Sequence, residues 1–321
     1  MTSRIIGTGS YVPEHSFTNT DMEKLVDTSD EWIAGRTGIR SRRLAKEETT
    51  SFMAAEAGRL ALEDSQMDAS ELELIIVATC SAEEVMPNTA CRVQQELQAV
   101  HAVGFDLNAA CSGFLFALHT AHAYLRAGIC KNALVIGAES LSRLLDWTDR
   151  STCVLFGDGA GAVVLRQEET GILGLSQFAD GSRGDVLTCG NSQNGNPLQE
   201  TKESHPGKIA MDGQEVFKFA VRQVPACITD LLNHYGCGKD EIRYFILHQA
   251  NARIIRSVAK RLDVPEAQFP MNMEQYGNTS AASIPMLLDE LNRGGCLKKG
   301  DHLVLSGFGA GLTWGACLLI W

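Results

Sequence analysis

The chain has 321 residues, 45% of them hydrophobic and 21% charged, a composition that excludes disordered and fibrous proteins. Its 28 basic and 39 acidic residues give a net charge of −11, which disfavours bulk nucleic-acid binding, although a local basic patch can act inside an acidic protein. The length favours two domains or one large one.

Neither export nor membrane insertion is predicted from the sequence. Residues 1–16 contain one arginine and no long apolar core, unlike a signal peptide. Residues 107–125 and 302–321 lack Asp, Glu, Lys and Arg, but the first stretch carries polar residues that are costly in lipid and the second contains four glycines. We therefore expect buried core at both places and a soluble, cytoplasmic protein. The ten cysteines form no CxxC pair, so we expect reduced thiols rather than a zinc or redox motif.

Strand and helix signals alternate along the first half. Asn88 is a candidate cap for the helix that follows it, and another helix is expected to begin near Cys111 and end before Gly128. Apolar runs predict strands at 74–79, 102–107, 133–137 and 162–165. The alternation predicts an α/β fold with buried strands.

The second half repeats this order. Residues 71–77 match 241–247 at an offset of 170, and residues 111–128 match 278–295 at an offset of 167. The similar offsets indicate an internal duplication joined near residues 167–170, with halves at 1–168 and 169–321. In this match Cys111 and Asn278 are equivalent residues that face each other where the halves meet, a common place for ligand sites.

Three motifs carry candidate chemistry. Cys111 lies in NAACSGF at a predicted strand-to-helix turn, where a helix N-terminus would lower the thiol pKa below about 8.5. His248 lies in LHQAN and Asn278 in YGNTSAAS. Singly, a buried cysteine, a core histidine and a turn asparagine are the commoner interpretations. Together, a thiolate and two uncharged donors suit acyl transfer and enolate stabilisation.

With DTSDEWIAGRTGI at 27–39 and FGDGAG at 156–161, these motifs strongly resemble the β-ketoacyl-acyl carrier protein synthase III family of condensing enzymes. The resemblance runs from GTGSYVP to GLTWGA. It implies a thiolase fold, five-layer α/β/α/β/α, built from two duplicated halves. It also implies that an acyl-CoA acylates Cys111, and that malonyl-acyl carrier protein then loses CO2 and attacks the acyl-enzyme. No metal or organic cofactor is implied.

The resemblance also assigns site residues. The backbone N–H groups of Cys111 and Ala310 would form the oxyanion hole, while His248 and Asn278 would donate to the malonyl thioester oxygen. The binding residues carried over by motif match are Thr28, Trp32, Arg36 and Arg150 for CoA; Gln249, Ala250, Asn251, Ala252 and Arg253 for acyl carrier protein; and Leu141, Phe156 and Ile209 for the acyl pocket, with Met86 reaching it from the other subunit of a homodimer. Acetyl is slightly favoured as the acyl group.

Helical spacing after LHQAN places Arg253, Arg256 and Lys260 on one face. An acidic carrier protein fits that face, and a solvated helix surface is the alternative.

Other functions stay open. A relative in a secondary pathway would use another acyl donor or an oxygen or nitrogen nucleophile. A cysteine thioesterase is modestly disfavoured because no carboxylate is evident to orient His248, and a non-catalytic partner is disfavoured by the intact Cys-His-Asn set. The glycine-rich loops lack the complete dinucleotide-binding pattern, and His119 and His122 lack companions at metal spacing.

Overall fold

The computed structural model describes residues 1–190 and 207–321. Its strands are β1 (Thr2–Tyr11), β2 (Ser16–Thr18), β3 (Ser41–Arg43), β4 (Leu74–Ala78), β5 (Val103–Leu107), β6 (Asn132–Glu139), β7 (Gly159–Glu168), β8 (Ile172–Ala179), β9 (Leu187–Cys189), β10 (Ile209–Met211), β11 (Ile242–Leu247), β12 (His302–Gly309) and β13 (Thr313–Ile320). Its α-helices are α1 (Asn19–Met22), α2 (Asp30–Thr37), α3 (Thr50–Ser65), α4 (Thr89–Leu97), α5 (Gly113–Arg126), α6 (Gly213–Tyr235), α7 (Ala252–Leu262), α8 (Met273–Tyr276) and α9 (Ser283–Arg293).

The elements predicted for the first half are present. The Asn88 side chain accepts from the Cys91 N–H at 2.7 Å and so caps α4 as expected. The four predicted strands correspond to β4, β5, β6 and β7. Strands β4 and β6 are buried along their whole length because both faces of their sheet are covered.

Two sheets repeat one arrangement. In the first, the strand order β4-β6-β7-β1 has one parallel pair followed by two antiparallel pairs, with β5 added parallel to β4 at the edge. In the second, β11-β12-β13-β8 has the same sequence of pairings. This repetition confirms the two duplicated halves, although the exact boundary at 168/169 stays a prediction.

Alternating side chains on the strands produce five layers. In β11, Ile246 faces the apolar core between the two sheets, whereas Phe245 and Leu247 face the core on the other side of their sheet. In β4, Leu74 and Ile76 face the central core, and the side chains between them face outward. Helices α3 and α4 cover the first sheet, α5 and α9 lie between the sheets, and α6 and α7 cover the second sheet. The predicted five-layer α/β/α/β/α architecture is confirmed.

The structure corrects one part of the duplication. Strand β12 begins 170 residues after β6, and α9 begins 170 residues after α5, so the offset of 167 is wrong for the turns that carry Cys111 and Asn278. The equivalent of Asn278 is Asn108, because each accepts a hydrogen bond from the amide two residues later. Cys111 is therefore equivalent to Ala281. The sequence match was misleading because it aligned the two chemically conspicuous residues instead of the turns that carry them.

Among the described residues, no helix combines the length and apolarity needed to cross a bilayer.

Candidate active site

Cys111, His248 and Asn278 come from three distant segments and line one cavity of about 550 Å³. Cys111 follows β5, His248 follows β11, and Asn278 lies in the turn before α9. All three residues are at least nine-tenths buried. The predicted convergence on one cavity is present, and the roles of the three side chains stay predictions.

Cys111 sits in a tight turn between β5 and α5. Ala110 before it has a φ of 46°, a conformation that costs a non-glycine residue energy and is retained where the surroundings fix it. The turn continues as a 3₁₀ helix over Ala110–Ser112 and leads directly into α5. The thiol is thereby presented to the cavity at the start of a helix.

Burial raises the pKa of the Cys111 thiol to about 12. The nearby Ser280 side chain and the cysteine's own amide lower it, while the charge of Glu139 raises it further. The expected pKa below about 8.5 is therefore wrong, because removal of the thiolate from water outweighs the helix N-terminus. At neutral pH the Cys111 side chain is therefore the thiol.

His248 is held as a neutral imidazole. Burial lowers its pKa to about 3. Its Nδ1 lies 2.8 Å from Ser283 Oγ, its backbone N–H donates to the Ser306 carbonyl, and its ring meets the edge of Phe308 at 5.3 Å between centroids. These contacts fix the plane of the ring and direct Nε2 away from Ser283.

Asn278 is held by its backbone and by one side of its amide. Its N–H donates to the Leu155 carbonyl at 2.8 Å, and its carbonyl accepts from the Gly157 N–H at 3.0 Å. Its Oδ1 accepts from the Ser280 N–H at 2.9 Å. Among the described residues no group accepts from Nδ2, so its two hydrogens are available to a ligand in the cavity.

The end of β12 lies against the Cys111 amide. A Cβ on Gly309 would come within 2.7 Å of the Cys111 nitrogen, so only glycine permits this approach. Ala310 follows, and its carbonyl accepts from Thr313 Oγ1, which also lies 2.6 Å from Ser112 Oγ. These hydroxyls link the turn after β12 to the turn that carries Cys111. Participation of the Ala310 amide in an oxyanion hole stays a prediction.

The cavity mouth is basic and carries an aromatic ring. The guanidinium carbon of Arg36 lies 4.7 Å from the centre of the Trp32 ring, and that of Arg150 lies 5.5 Å from it. Arg36, Arg150, Lys218 and Arg253 line the cavity, and no carboxylate does so within the described ranges. Thr28 is not part of the lining, although its buried Oγ1 has no hydrogen-bond partner among the described residues.

The residues predicted to meet a carrier protein divide into two groups. Gln249 and Ala252 are 1% and 4% exposed, so direct contact by their side chains is contradicted. The Gln249 amide instead donates to the Leu247 carbonyl and accepts from the Asn272 N–H. Ala250, Asn251 and Arg253 line the cavity, and Asn251 also caps α7.

Beyond this turn, α7 has the predicted faces. Arg253, Arg256 and Lys260 are exposed, while Ile254, Ile255, Val258 and Leu262 are buried.

The predicted acyl pocket is only partly formed by the residues expected. Phe156 lines the cavity, whereas Leu141 and Ile209 are buried in the same apolar core without reaching the cavity surface. Met86 is 83% exposed and does not line the cavity of its own chain. Apolar lining is instead contributed by Leu187, Met211, Val216, Phe217, Phe219, Phe308 and Leu312.

Motif matching missed three residues that the structure places near Cys111, His248 and Asn278. Ser283 and Phe308 contact the His248 ring and fix its orientation. Ser283 ends the YGNTSAAS motif and Phe308 lies in β12, and neither residue type indicates such a role in the sequence. Glu139 is a fully buried carboxylate at the end of β6. An acidic residue ending an apolar strand was the only available signal for it.

Two family models match the chain. The model of 3-oxoacyl-[acyl-carrier-protein] synthase III matches residues 105–181, and that of its C-terminal part matches residues 232–321. The chain is 49% identical over 318 residues to the beta-ketoacyl-[acyl-carrier-protein] synthase III of Clostridium acetobutylicum, a match covering 99% of this chain and 98% of that protein.

Solved structures share the fold. The 3-oxoacyl-[acyl-carrier-protein] synthase III of Aquifex aeolicus is 46% identical with a TM-score of 0.94, and the match covers 99% of this chain and all of that one. The priming β-ketosynthase of the R1128 polyketide pathway is 37% identical with a TM-score of 0.93, over 99% of this chain and 96% of the other.

Proposed function

This chain belongs to the β-ketoacyl-[acyl-carrier-protein] synthase III family of condensing acyltransferases, and on that premise we propose that it initiates fatty-acid synthesis. It would condense an acyl-CoA with malonyl-acyl carrier protein to give 3-oxoacyl-acyl carrier protein, CoA and CO2. The convergence of Cys111, His248 and Asn278 on one cavity is the observation that carries this proposal.

In the first step, Cys111 sulfur attacks the acyl-CoA carbonyl. The thiol proton leaves with the CoA sulfur, so CoA departs as a thiol and the acyl group stays on Cys111. The developing oxyanion would be stabilised by the backbone N–H groups of Cys111 and Ala310. The close approach of Gly309 to the Cys111 amide supports this arrangement.

In the second step, malonyl thioester loses CO2 and its carbanion attacks the acyl-enzyme carbonyl. The bond between that carbon and the Cys111 sulfur breaks, and the released thiolate takes a proton from water and is again the free thiol. Negative charge develops on the malonyl thioester oxygen during decarboxylation. Two neutral donors, His248 Nε2 and Asn278 Nδ2, would stabilise it without the cost of a permanent charge. Because these donors suffice for the chemistry, the proposal includes no metal or organic cofactor.

The cavity mouth suits an acyl-CoA. Phosphates would meet Arg36, Arg150 and Lys218, and the adenine ring would stack on Trp32 in place of one of the guanidinium groups that cover it. After CoA has left, the acidic acyl carrier protein would bind to Arg253 and the other exposed cations of α7.

A second copy of the chain is part of the proposal. Val85 and Met86 are 85% and 83% exposed, and Val103 on the edge strand β5 is 65% exposed. Exposed apolar side chains, together with a strand edge that is unpaired among the described residues, favour association. A homodimer would cover them and bring Met86 to the partner's acyl pocket. We also infer a cytoplasmic location, where ten free thiols would stay reduced.

Acetyl is the acyl group that we favour, with longer or branched groups as alternatives. A role in a secondary pathway is a second candidate, which the similarity to the priming β-ketosynthase of the R1128 pathway supports. A panel of acyl-CoAs of increasing length would distinguish the acyl groups by their kcat/KM values.

One experiment tests the central proposal. Purified protein is incubated with acetyl-CoA and its intact mass is measured, after which malonyl-acyl carrier protein is added and the product identified. We expect an acetyl adduct that disappears in Cys111→Ala, and a 3-oxobutyryl product. An adduct that persists in Cys111→Ala would refute the mechanism, and an adduct that only hydrolyses would indicate a thioesterase.

A further inference from the structure

Glu139 is a buried carboxylate that the condensing chemistry described above does not use. It ends β6 and is 0% exposed. Its Oε2 accepts from Ser81 Oγ at 2.6 Å and from the Cys80 N–H at 3.2 Å. Its Oε1 accepts from Ser280 Oγ at 3.0 Å and from the Cys80 thiol at 3.4 Å. In each of these contacts the carboxylate accepts a hydrogen bond, which favours its charged form. Burial acts in the opposite direction and raises the pKa of Glu139.

The internal duplication identifies the residue of the second half that is equivalent to Glu139. Strands β6 and β12 are equivalent, so Glu139 corresponds to Gly309. Gly309 ends β12 directly against the amide of Cys111. Glu139 ends β6 against the equivalent turn in the second half, which carries Asn278 and Ser280. In each half, a central strand therefore ends against the catalytic turn of the other half. The strand of the second half ends there in a glycine, and the strand of the first half ends in a carboxylate.

The two turns differ in how they are held. Ala110 and Ser280 occupy equivalent positions with φ of 46° and 50°, and each donates its N–H to the asparagine two residues earlier. Only Ser280 has a hydroxyl, and that hydroxyl donates to Glu139. The Ser280 N–H holds Oδ1 of Asn278, so the position of Ser280 decides which way Nδ2 of Asn278 points.

We propose that Glu139 is a positioning residue of the condensing reaction, which holds the Ser280 turn so that the Asn278 amide presents Nδ2 to the malonyl thioester. The inference rests on the proposed function, because it assigns Asn278 a role in decarboxylation. Loss of the carboxylate lets the turn relax and the Asn278 amide rotate. The decarboxylation step then slows while the nucleophile itself is kept.

The charge of Glu139 should affect the pH dependence of Cys111 alkylation, which a purely structural residue would leave unchanged. The titratable groups facing Cys111 are Glu139 on β6, Cys80 after β4 and His248 after β11. His248 is neutral, and the Glu139 charge raises the pKa of the Cys111 thiol. Replacing the carboxylate by an amide therefore moves Cys111 alkylation to lower pH.

The test compares Glu139→Gln with Glu139→Asp and with Asp289→Asn. Asp289 is a matched control, since it is 2% exposed and accepts from the hydroxyls of Thr8 and Ser10 away from the cavity. In E139Q we expect acylation by acetyl-CoA to persist, decarboxylation of malonyl thioester by the acyl-enzyme to slow about 10- to 100-fold, and the alkylation profile of Cys111 to shift to lower pH. Glu139→Asp should recover part of the decarboxylation rate, and D289N should match the parent protein.

Ser280→Ala provides a second variant that keeps the buried carboxylate. Alanine occupies the equivalent turn position at Ala110, so this change is compatible with the backbone. It should also slow decarboxylation selectively. Unchanged decarboxylation in either folded variant, or equal losses in both steps with an unmoved alkylation profile, would overturn the inference. If the parent protein itself forms no condensation product, the proposed function fails instead.

Discussion

The Nδ1 atom of His248 lies 2.8 Å from the hydroxyl oxygen of Ser283, the first residue of α9. The same oxygen accepts from the Gln249 N–H at 3.3 Å, which leaves the Ser283 hydrogen free to donate to Nδ1. A neutral imidazole that accepts at Nδ1 carries its proton on Nε2. We infer that Ser283 favours this tautomer, in which Nε2 is a hydrogen-bond donor.

Ser283→Ala should weaken this selection. We expect decarboxylation of malonyl thioester to slow about tenfold, the equivalent of one lost hydrogen bond, while acylation of Cys111 is kept. Single-turnover measurements of the two steps would check this. Ser257→Ala on the surface of α7 is the control, and an equal effect of the two substitutions would contradict the role of Ser283.

His248→Ala and Asn278→Ala should separate the two half-reactions. Each variant should still accept an acetyl group from acetyl-CoA, because the proposed acylation uses only Cys111 and backbone amides. Decarboxylation should fall on the order of 10²- to 10³-fold, the usual effect of removing one donor from an oxyanion site. Intact mass measures the first step and CO2 release the second. Full condensing activity in either variant would refute its assigned role.

The pH dependence of these steps follows from two shifted pKa values. Burial lowers the pKa of His248 to about 3, so its imidazole stays neutral from pH 5 to pH 8 and gives decarboxylation no acid limb in that range. Burial raises the pKa of Cys111 to about 12, so its thiolate fraction should rise about tenfold per pH unit below that value. Iodoacetamide labelling of Cys111, followed by peptide mass spectrometry, measures this rise. A labelling rate that levels off below pH 9 would contradict it.

Much of this site could be predicted because its residue types are distinctive. A cysteine in a small-residue turn, a histidine after a buried strand and an asparagine before a helix are visible in the sequence. Strand signals and the internal repeat predicted a duplicated α/β fold, and the five-layer arrangement was implied by the family resemblance. The alignment of Cys111 with Asn278 was wrong because chemical similarity cannot locate equivalent turns. That equivalence is set by the backbone, where Ala110 and Ser280 share a positive φ.

Residues that act through others could not be predicted in the same way. The orientation of Gln249 depends on the Asn272 amide, 23 positions later, which turns its side chain inward. The contacts of Glu139 depend on Ser280, 141 positions later. Hydrogen bonds between such distant positions require the folded chain, since no local pattern encodes them.

Trp32→Ala and Arg150→Ala test the CoA site. Each should raise KM for acetyl-CoA about five- to tenfold with little change in kcat, because in the proposed site stacking and charge would hold the nucleotide equally in the ground and transition states. The effect of R150A should shrink at high salt, whereas that of W32A should not. Arg166→Ala, an exposed arginine paired with Glu168 outside the cavity, is the control. A fall in kcat without a change in KM would contradict this assignment.

Arg253 and Gln249 should behave differently although they are close in sequence. Arg253 is exposed at the cavity mouth, so R253A should raise KM for malonyl-acyl carrier protein in a salt-dependent way and leave thermal stability unchanged. Gln249 links the Leu247 carbonyl to the Asn272 amide inside the protein, so Q249A should lower the free energy of unfolding by about 1–3 kcal/mol. Thermal denaturation and carrier-protein kinetics on both variants, with Arg243→Ala as a surface control, would separate docking from packing. If Q249A is as stable as the parent protein but binds the carrier protein more weakly, Gln249 belongs to the docking surface and the packing role is contradicted.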